Sequence, residues 1–252
     1  MHEAPLVEHL EELRARIIRA LLAWFVGMGV AWTFRVQLLE ILKRPLNVAT
    51  QVRGIEANLI QQSITEGFIV SLKIAAFGGL ILAMPFIVYQ IWAFIAPGLY
   101  PHERRLAIPF IIGAGFSFAV GVVFSYYVLL PFAVPFLLGF LGNQVVPLLS
   151  IDKYMSQILM YLTVVGLMFE LPVLSYLFTK LGMLDWRFLA RNRRIAIVVI
   201  VTLAAVITPT ADPFNLALLS IPLLLLYEIS IWVSRVSGRA AQPEEDSADE
   251  AR

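Results

Sequence analysis

Long runs of apolar residues, each nearly free of charge, dominate this 252-residue sequence. Crossing the roughly 30 Å hydrocarbon core of a bilayer takes about 20 apolar residues, at about 1.5 Å of helix rise each. Six such runs cover residues 17–34, 68–96, 106–130, 157–181, 195–208 and 214–233. The pattern predicts an all-α polytopic membrane protein with six transmembrane helices, of which the fifth and sixth are short.

The composition indicates that lipid is the main solvent of the chain. Hydrophobic residues make up 60% of it and charged residues 15%, whereas an average globular domain holds roughly 45–50% and about 25%. A soluble enzyme, a secreted disulfide-rich domain and a disordered protein are therefore excluded. Because the chain has no cysteine, thiol catalysis and cysteine-ligated metals are excluded as well, and we expect no metal or cofactor site.

The apolar runs divide the chain into three segments. We expect an amphipathic cytoplasmic helix over residues 1–16, the membrane domain over 17–235, and a disordered acidic tail over 236–252. Lysine and arginine favour the cytoplasmic side of membrane proteins. With the N-terminus inside, 13 of the 19 lie in inside segments, five lie outside, and Lys73 lies within a run. Both termini are therefore predicted to be cytoplasmic.

Residues able to perform catalysis in the membrane are scarce in this sequence. The only histidines are His2, His9 and His102, and none lies within an apolar run. Intramembrane proteolysis by a serine–histidine pair or by a zinc site therefore lacks its residues. We expect that the protein is not an enzyme.

Two acidic residues next to the predicted membrane domain are candidates for binding a cationic ligand. Glu12 lies on the amphipathic helix, where it either pairs with Arg16 at i,i+4 or receives a ligand. Glu103 lies in the loop after the second run. There it either complements the dipole of the next helix or contributes, with neighbouring aromatic residues, to a site for an extended peptide.

Two further acidic residues lie in or beside the later runs. Glu170 is about 20 Å into the fourth run by helix rise, where an ionisable side chain is costly. It is either functional or a neutral carboxyl hydrogen-bonded inside the bundle. Pro172 is predicted to kink this helix. Asp212 precedes Pro213 and is explained by capping of the sixth helix.

Several motifs, taken together and in order, resemble the TatC family, the largest core component of the twin-arginine protein translocase. The resemblance extends from about residue 6 to residue 235. The segments that carry it are HLEELRAR (9–16), YQIWAFIAPGLY (89–100), HERR (102–105), FELP (169–172), TPTADP (208–213) and SIP (220–222) with YE (227–228).

The resemblance implies a receptor in the bacterial cytoplasmic (inner) membrane for folded proteins that carry Arg-Arg signal peptides. The implied partners are single-span A-type and B-type subunits (TatA and TatB), further copies of the chain and membrane lipid, with no nucleic acid; the implied energy source is the proton-motive force. The implied signal-peptide-binding residues are Glu12, Arg14, Phe94 and Glu103. The residues implied in transport or assembly are Pro45, Glu170 and Asp212. Here Glu11 adds a second carboxylate beside Glu12.

Two other functions are compatible with parts of the sequence. A secondary transporter or proton channel centred on Glu170, with Lys73, predicts a site near the membrane midplane. A scaffold that only assembles partner helices predicts intact complexes without peptide binding. The most specific motifs lie beside the predicted cytoplasmic face rather than at midplane, which favours the receptor.

Overall fold

The computed structural model of the chain describes residues 6–54, 57–98, 100–101, 103–139, 147–207 and 213–239. This part of the chain is almost wholly helical, which confirms the predicted all-α class. The helices are α1 (Leu6–Thr33), α2 (Arg35–Arg53), α3 (Glu66–Ile95), α4 (Ala107–Phe124), α5 (Leu130–Leu138), α6 (Ile151–Met168), α7 (Glu170–Lys180), α8 (Trp186–Arg191), α9 (Arg193–Ile207) and α10 (Pro213–Arg239). Two short strands are β1 (Asn58–Ile60) and β2 (Leu148–Ser150).

Five helical segments within the described residues are long and apolar enough to cross a membrane. They are Glu8–Thr33, Glu66–Gly98, Arg104–Leu138, Ile151–Lys180 and Pro213–Gly238. The fifth predicted run is helix α9, which is short as expected, with 15 residues or about 22 Å of rise. Helix α10 has 27 residues and is not short, because it continues past the apolar run through a polar final turn.

Helix α2 lies between the first two apolar runs, where the hydropathy pattern predicts no helix. Its buried residues are Leu42, Pro45, Leu46 and Ala49, spaced as one face of a helix. Counting apolar runs misses such a helix, because charged residues such as Glu40, Lys43 and Arg44 interrupt its apolar ones.

The third apolar run continues beyond its predicted end at residue 130, up to Leu138. Pro131 lacks the N–H that a regular helix requires. A π-helical turn over Ser125–Leu129 precedes Pro131 and accommodates the missing N–H. Helix α5 then continues the segment.

The chain forms two compact units, Met1–Gly166 and Leu167–Arg252. In the first unit α1 packs antiparallel on α3, and the contact depends on glycine. A Cβ added to Gly79 would lie 2.5 Å from the backbone nitrogen of Met28, and one added to Gly27 would lie 2.8 Å from the carbonyl oxygen of Gly79. The indole of Trp24 donates a 2.8 Å hydrogen bond to the carbonyl of Ala76 and so ties the two helices together.

In the second unit α7 packs against α10 through buried small hydroxyl residues. Ser175 donates a 2.8 Å hydrogen bond to the carbonyl of Ser230, and the hydroxyls of Thr179 and Ser234 lie 2.7 Å apart. These side chains let two membrane helices approach closely and keep their polar atoms satisfied.

A polar cluster closes one end of the first unit, and we call it the capped end: β1, β2, Glu66, Lys73 and Asp152. The strands pair in parallel, with Asn58 opposite Leu148. The buried Glu66 carboxylate accepts hydrogen bonds from the Ser150 hydroxyl and from the backbone N–H groups of residues 62, 63 and 152. The Lys73 ammonium lies 2.6 Å from an Asp152 oxygen.

Candidate functional site

The opposite end of the α1–α3 pair brings together residues from two of the sequence motifs. We call this surface the open end: His9, Glu12 and Arg16 of α1 with Gln90 and Phe94 of α3. The rings of His9 and Phe94 are stacked, with centroids 4.5 Å apart and planes inclined by 26°. Antiparallel packing places the start of α1 beside the end of α3, so residues more than 80 positions apart meet here.

Arg16 connects the two helices at the open end. Its guanidinium donates a 3.1 Å hydrogen bond to Glu12 Oε1 and a 3.5 Å hydrogen bond to the Gln90 side-chain oxygen. This is the i,i+4 pairing with Arg16, one of the two alternatives that the sequence left open for Glu12. Gln90 is only 4% exposed, so the side of the cluster facing α3 is fixed.

The Glu12 carboxylate keeps capacity for a further cation. Its side chain is 32% exposed, and within the described residues its second oxygen, Oε2, accepts no hydrogen bond. A carboxylate can accept from two guanidinium groups at once, because its oxygens offer about four lone-pair sites. Glu11, the neighbouring acid, is exposed on another face of α1.

The other two predicted signal-peptide-binding residues are Arg14 and Glu103. Arg14 is exposed on α1. The backbone of Glu103 begins a 3₁₀ turn, Glu103–Leu106, just before α4, and its side chain lies outside what the structure describes. The structure thus brings Glu12 and Phe94 to one surface and gives no contact for Glu103.

Pro45 lies inside α2, where it removes one helical hydrogen bond. A residue at position 45 would normally donate its N–H to the carbonyl of Ile41, and proline cannot. The Tyr126 hydroxyl supplies the missing donor, with a 2.7 Å hydrogen bond to the Ile41 oxygen. Nearby, the Tyr154 hydroxyl donates to the carbonyl of Leu42 at 3.1 Å. The carbonyl that Pro45 leaves free thus joins α2 to the π-helical turn that holds Tyr126, and the Leu42 carbonyl joins α2 to α6.

Glu170 begins α7 directly after a break in the fourth membrane segment. Helix α6 ends at Met168. In a regular helix the Met168 carbonyl would accept a hydrogen bond from the N–H of residue 172, which proline lacks. The helix therefore breaks where Pro172 was predicted to disturb it. The Glu170 side chain is 8% exposed, and its Oε1 has no hydrogen-bond partner among the described residues. Asp212 lies outside the described residues.

Lys73, the cation of the transporter hypothesis, belongs to the capped end. Besides its contact with Asp152, its ammonium donates a 2.8 Å hydrogen bond to the Ser156 hydroxyl. It lies seven residues from the start of α3, about 10 Å by helix rise. These contacts give Lys73 a role in joining α3 to α6 and provide no support for a midplane site.

His9, Arg16 and Gln90 lie within the sequence motifs, but the motifs alone give none of them a site role. Glu12 and Phe94 are separated by most of two membrane segments, so only the packing of α1 on α3 shows what lies between them. The sequence nevertheless contains a pattern that could have grouped these residues. His9, Glu12 and Arg16 follow helical spacing, as do Gln90 and Phe94 at i,i+4.

The family model for Sec-independent protein translocase protein (TatC) matches residues 8–222 of this chain. The chain is 47% identical over 242 residues to the Sec-independent protein translocase protein TatC of Deinococcus radiodurans, covering 96% of this chain and 89% of that protein. It is 40% identical over 237 residues to the TatC protein of Aquifex aeolicus, covering 93% and 96%.

Solved structures give the same result. The chain is similar to a crystal structure of the twin arginine translocase receptor TatC, with a TM-score of 0.80, 38% identity and coverage of 91% of this chain and 99% of the other. A second crystal structure of that receptor, in the detergent DDM, matches with a TM-score of 0.79 at 40% identity, over 90% and 99% of the two chains.

Proposed function

The chain belongs to the TatC family of Sec-independent protein translocase proteins, and we propose that it is the receptor subunit that binds Arg-Arg signal peptides at its open end. As a member of that family it is a multi-pass membrane protein that acts in protein translocation. The observation that carries the proposal is the meeting of Glu12 and Phe94 through Arg16, Gln90 and His9. It joins the two most specific sequence motifs in one surface.

The chemistry of the open end suits arginine better than lysine. A guanidinium is planar and presents paired N–H donors that match a carboxylate, and it also stacks on aromatic rings. Glu12 offers an oxygen that accepts no hydrogen bond from the described residues, and on the neighbouring helix Phe94 offers an aromatic ring, which His9 stacks on from one side. We propose that one arginine of the signal peptide binds Glu12 and that the other binds Glu103, with Phe94 and Arg14 at the edges of the site.

The rest of the proposal concerns topology, partners and energy. We propose that the open end faces the cytoplasm of a bacterium, with both termini on that side of the inner membrane. TatA-type and TatB-type subunits and further copies of this chain complete the complex, and the proton-motive force drives export.

Exposed ion pairs are worth at most about 1 kcal/mol each. Packing of the signal peptide's apolar stretch and avidity across an oligomer therefore supply the remaining affinity.

Photo-crosslinking of a signal peptide to the full-length protein in detergent tests the receptor function. We expect labelling by an Arg-Arg peptide and several-fold weaker labelling by a Lys-Lys peptide. Glu12→Gln should raise the apparent Kd by about 5-fold, the equivalent of about 1 kcal/mol for a partly exposed ion pair. Equal labelling by both peptides, unchanged in Glu12→Gln and Glu103→Gln, would overturn the proposal.

Glu11→Gln is the matched control, because it removes the same charge one residue away and from another face of α1. If Glu11→Gln weakens binding and Glu12→Gln does not, the arginine binds Glu11 instead. If both weaken it equally, the effect is long-range attraction, and raising the salt concentration should abolish it.

A transporter or channel centred on Glu170 remains the second candidate. One observation favours it: the Glu170 carboxyl is buried with Oε1 unpartnered among the described residues. This function predicts proton flux through vesicles that contain the chain alone, lost in Glu170→Gln and kept in Glu12→Gln. The receptor function predicts no such flux.

A further inference from the structure

Two arginines of the second unit flank one tryptophan and have no anionic partner among the described residues. The guanidinium carbon of Arg187, on α8, lies 5.8 Å from the ring centroid of Trp186. That of Arg235, in the last turns of α10, lies 5.1 Å from the same centroid. Both side chains are exposed. Helices α8 and α10 thus concentrate two positive charges around one indole.

Within the described residues, neither acidic side chain nearby in sequence pairs with these two guanidinium groups. Asp185 caps α8, where its carboxylate accepts a 3.1 Å hydrogen bond from the Arg187 backbone N–H. Glu228 pairs with Arg193 at 2.8 Å. The two guanidinium groups at Trp186 therefore keep their donors available for an anion, and guanidinium groups favour phosphate because they can bind it with paired hydrogen bonds.

The neighbouring surface of α10 is apolar and exposed. Trp232, three residues before Arg235, is 66% exposed, and Val236 is 54% exposed. Positions 232, 235 and 236 share one face of the helix, since they differ by three and four residues. The ligand that fits is therefore amphiphilic, with an anionic head for the arginines and an apolar tail along α10. Tryptophan, with an apolar body and a polar tip, is typical of the headgroup level of membranes.

We propose that Trp186, Arg187 and Arg235 bind the phosphate headgroup of an anionic phospholipid, with its acyl chain against Trp232 and Val236. The site lies wholly within the second unit and does not depend on the proposed receptor function. Its residues stand apart from Glu12, Phe94 and Glu103, so lipid binding and peptide binding are separately measurable.

Mass spectrometry of the intact, full-length protein in non-ionic detergent, titrated with lipid, tests the site. We expect one tightly retained phosphatidylglycerol and weaker retention of zwitterionic phosphatidylcholine. Arg187→Gln/Arg235→Gln should weaken phosphatidylglycerol binding by about 30-fold, given the contribution of each basic residue near an anionic surface. Arg193→Gln is the matched control, because it removes another exposed arginine of the same unit, one that already has a carboxylate partner, and the affinity of this variant for phosphatidylglycerol should be unchanged.

Three results would overturn the proposal. One is equal retention of the two lipids by the wild-type protein, a comparison that does not depend on how the variants fold. Another is an equal loss of binding in Arg193→Gln. The third is displacement of the lipid by millimolar inorganic phosphate, which would identify a site for free anions. Circular dichroism should show the same helix content in all variants, since the substituted side chains are exposed.

Discussion

Glu66 at the capped end and Glu12 at the open end are both carboxylates of the first unit, yet their surroundings differ. Glu66 is 5% exposed and accepts four hydrogen bonds that join residues 62 and 63 to residues 150 and 152. The Glu12 side chain is 32% exposed and holds Arg16 through one oxygen. Removing Glu66 takes the acceptor from four donors, whereas removing Glu12 takes one partner from Arg16, which still donates to Gln90.

The difference indicates that the two ends of the first unit have different roles. At the capped end, polar contacts between distant segments stabilise the helix bundle, because a buried donor that loses its acceptor bears the full desolvation cost. At the open end the polar groups are only partly satisfied, so a ligand can bind there with little rearrangement. Substitutions at the two ends should therefore separate stability from peptide binding.

The largest expected effect is that of Glu66→Gln. The amide replaces one acceptor oxygen by an NH2 group, which must then face N–H or O–H donors on one side of the site. We expect the melting temperature of the purified protein, followed by intrinsic fluorescence, to fall by about 8 °C. Peptide affinity at the open end, measured well below that temperature, should be unchanged.

Glu40→Gln is the control for that experiment, because it removes a carboxylate that is exposed on α2. Its melting temperature should match that of the wild-type protein. If Glu66→Gln were equally harmless, the four hydrogen bonds would not hold the capped end together, and the contrast between the two ends would fail.

Gly79→Ala tests the helix pair that connects the two ends. The new methyl group would meet the backbone of Met28 rather than a side chain that can rotate away, so α1 and α3 must separate. Overpacking of this kind costs about 2 kcal/mol, or about 6 °C of melting temperature. Because the same two helices form the open end, peptide affinity should also fall.

Gly29→Ala is the matched control for Gly79→Ala, since nothing lies within 4 Å of a Cβ added there. This variant should be as stable as the wild-type protein or slightly more stable, because alanine favours the helix. A loss of stability equal to that of Gly79→Ala would show that helix propensity or lipid contact, and not the approach of α1 to α3, determines the effect.

Tyr126→Phe tests the coupling of Pro45 to the rest of the unit. Without the hydroxyl, the Ile41 carbonyl loses the donor that replaces the missing N–H of residue 45, at a cost of about 1 kcal/mol or about 3 °C. In a Pro45→Ala background the alanine N–H can serve that carbonyl, so the effect of Tyr126→Phe should shrink. Tyr127→Phe, an exposed neighbour, is the control. Additive effects of Pro45→Ala and Tyr126→Phe would contradict the coupling.

The hydropathy pattern was sufficient to locate the membrane segments, because lipid requires long apolar helices whatever their neighbours. It missed α2, whose buried face of Leu42, Pro45, Leu46 and Ala49 repeats with helical spacing inside a segment of average polarity. It could not find β1 and β2, since three-residue strands that pair across about 90 positions leave no local signal.

The candidate site could be predicted only in part, because its contacts, like the pairing of the two strands, join residues that are far apart in sequence. Motifs identified Glu12 and Phe94, but a motif cannot say which side chains touch. The contacts of Arg16 with Gln90 and of His9 with Phe94 depend on the close approach of α1 to α3, which Gly27 and Gly79 permit. The role of Glu66 was equally invisible, because an acid at the start of an apolar run is also explained by the helix dipole.

His9→Ala should have the smallest effect on stability. It tests, at the open end, the contrast between an end that stabilises the fold and an end that is available to a ligand. It removes an exposed ring stacked on Phe94, a contact worth about 0.5 kcal/mol, so the melting temperature should fall by about 1–2 °C. His9→Phe, which keeps an aromatic ring, should restore it. If His9→Ala instead destabilised the protein as much as Glu66→Gln, the open end would be a structural cap like the opposite end. A peptide site there would then require Glu12 and Phe94 to leave contacts on which the fold depends.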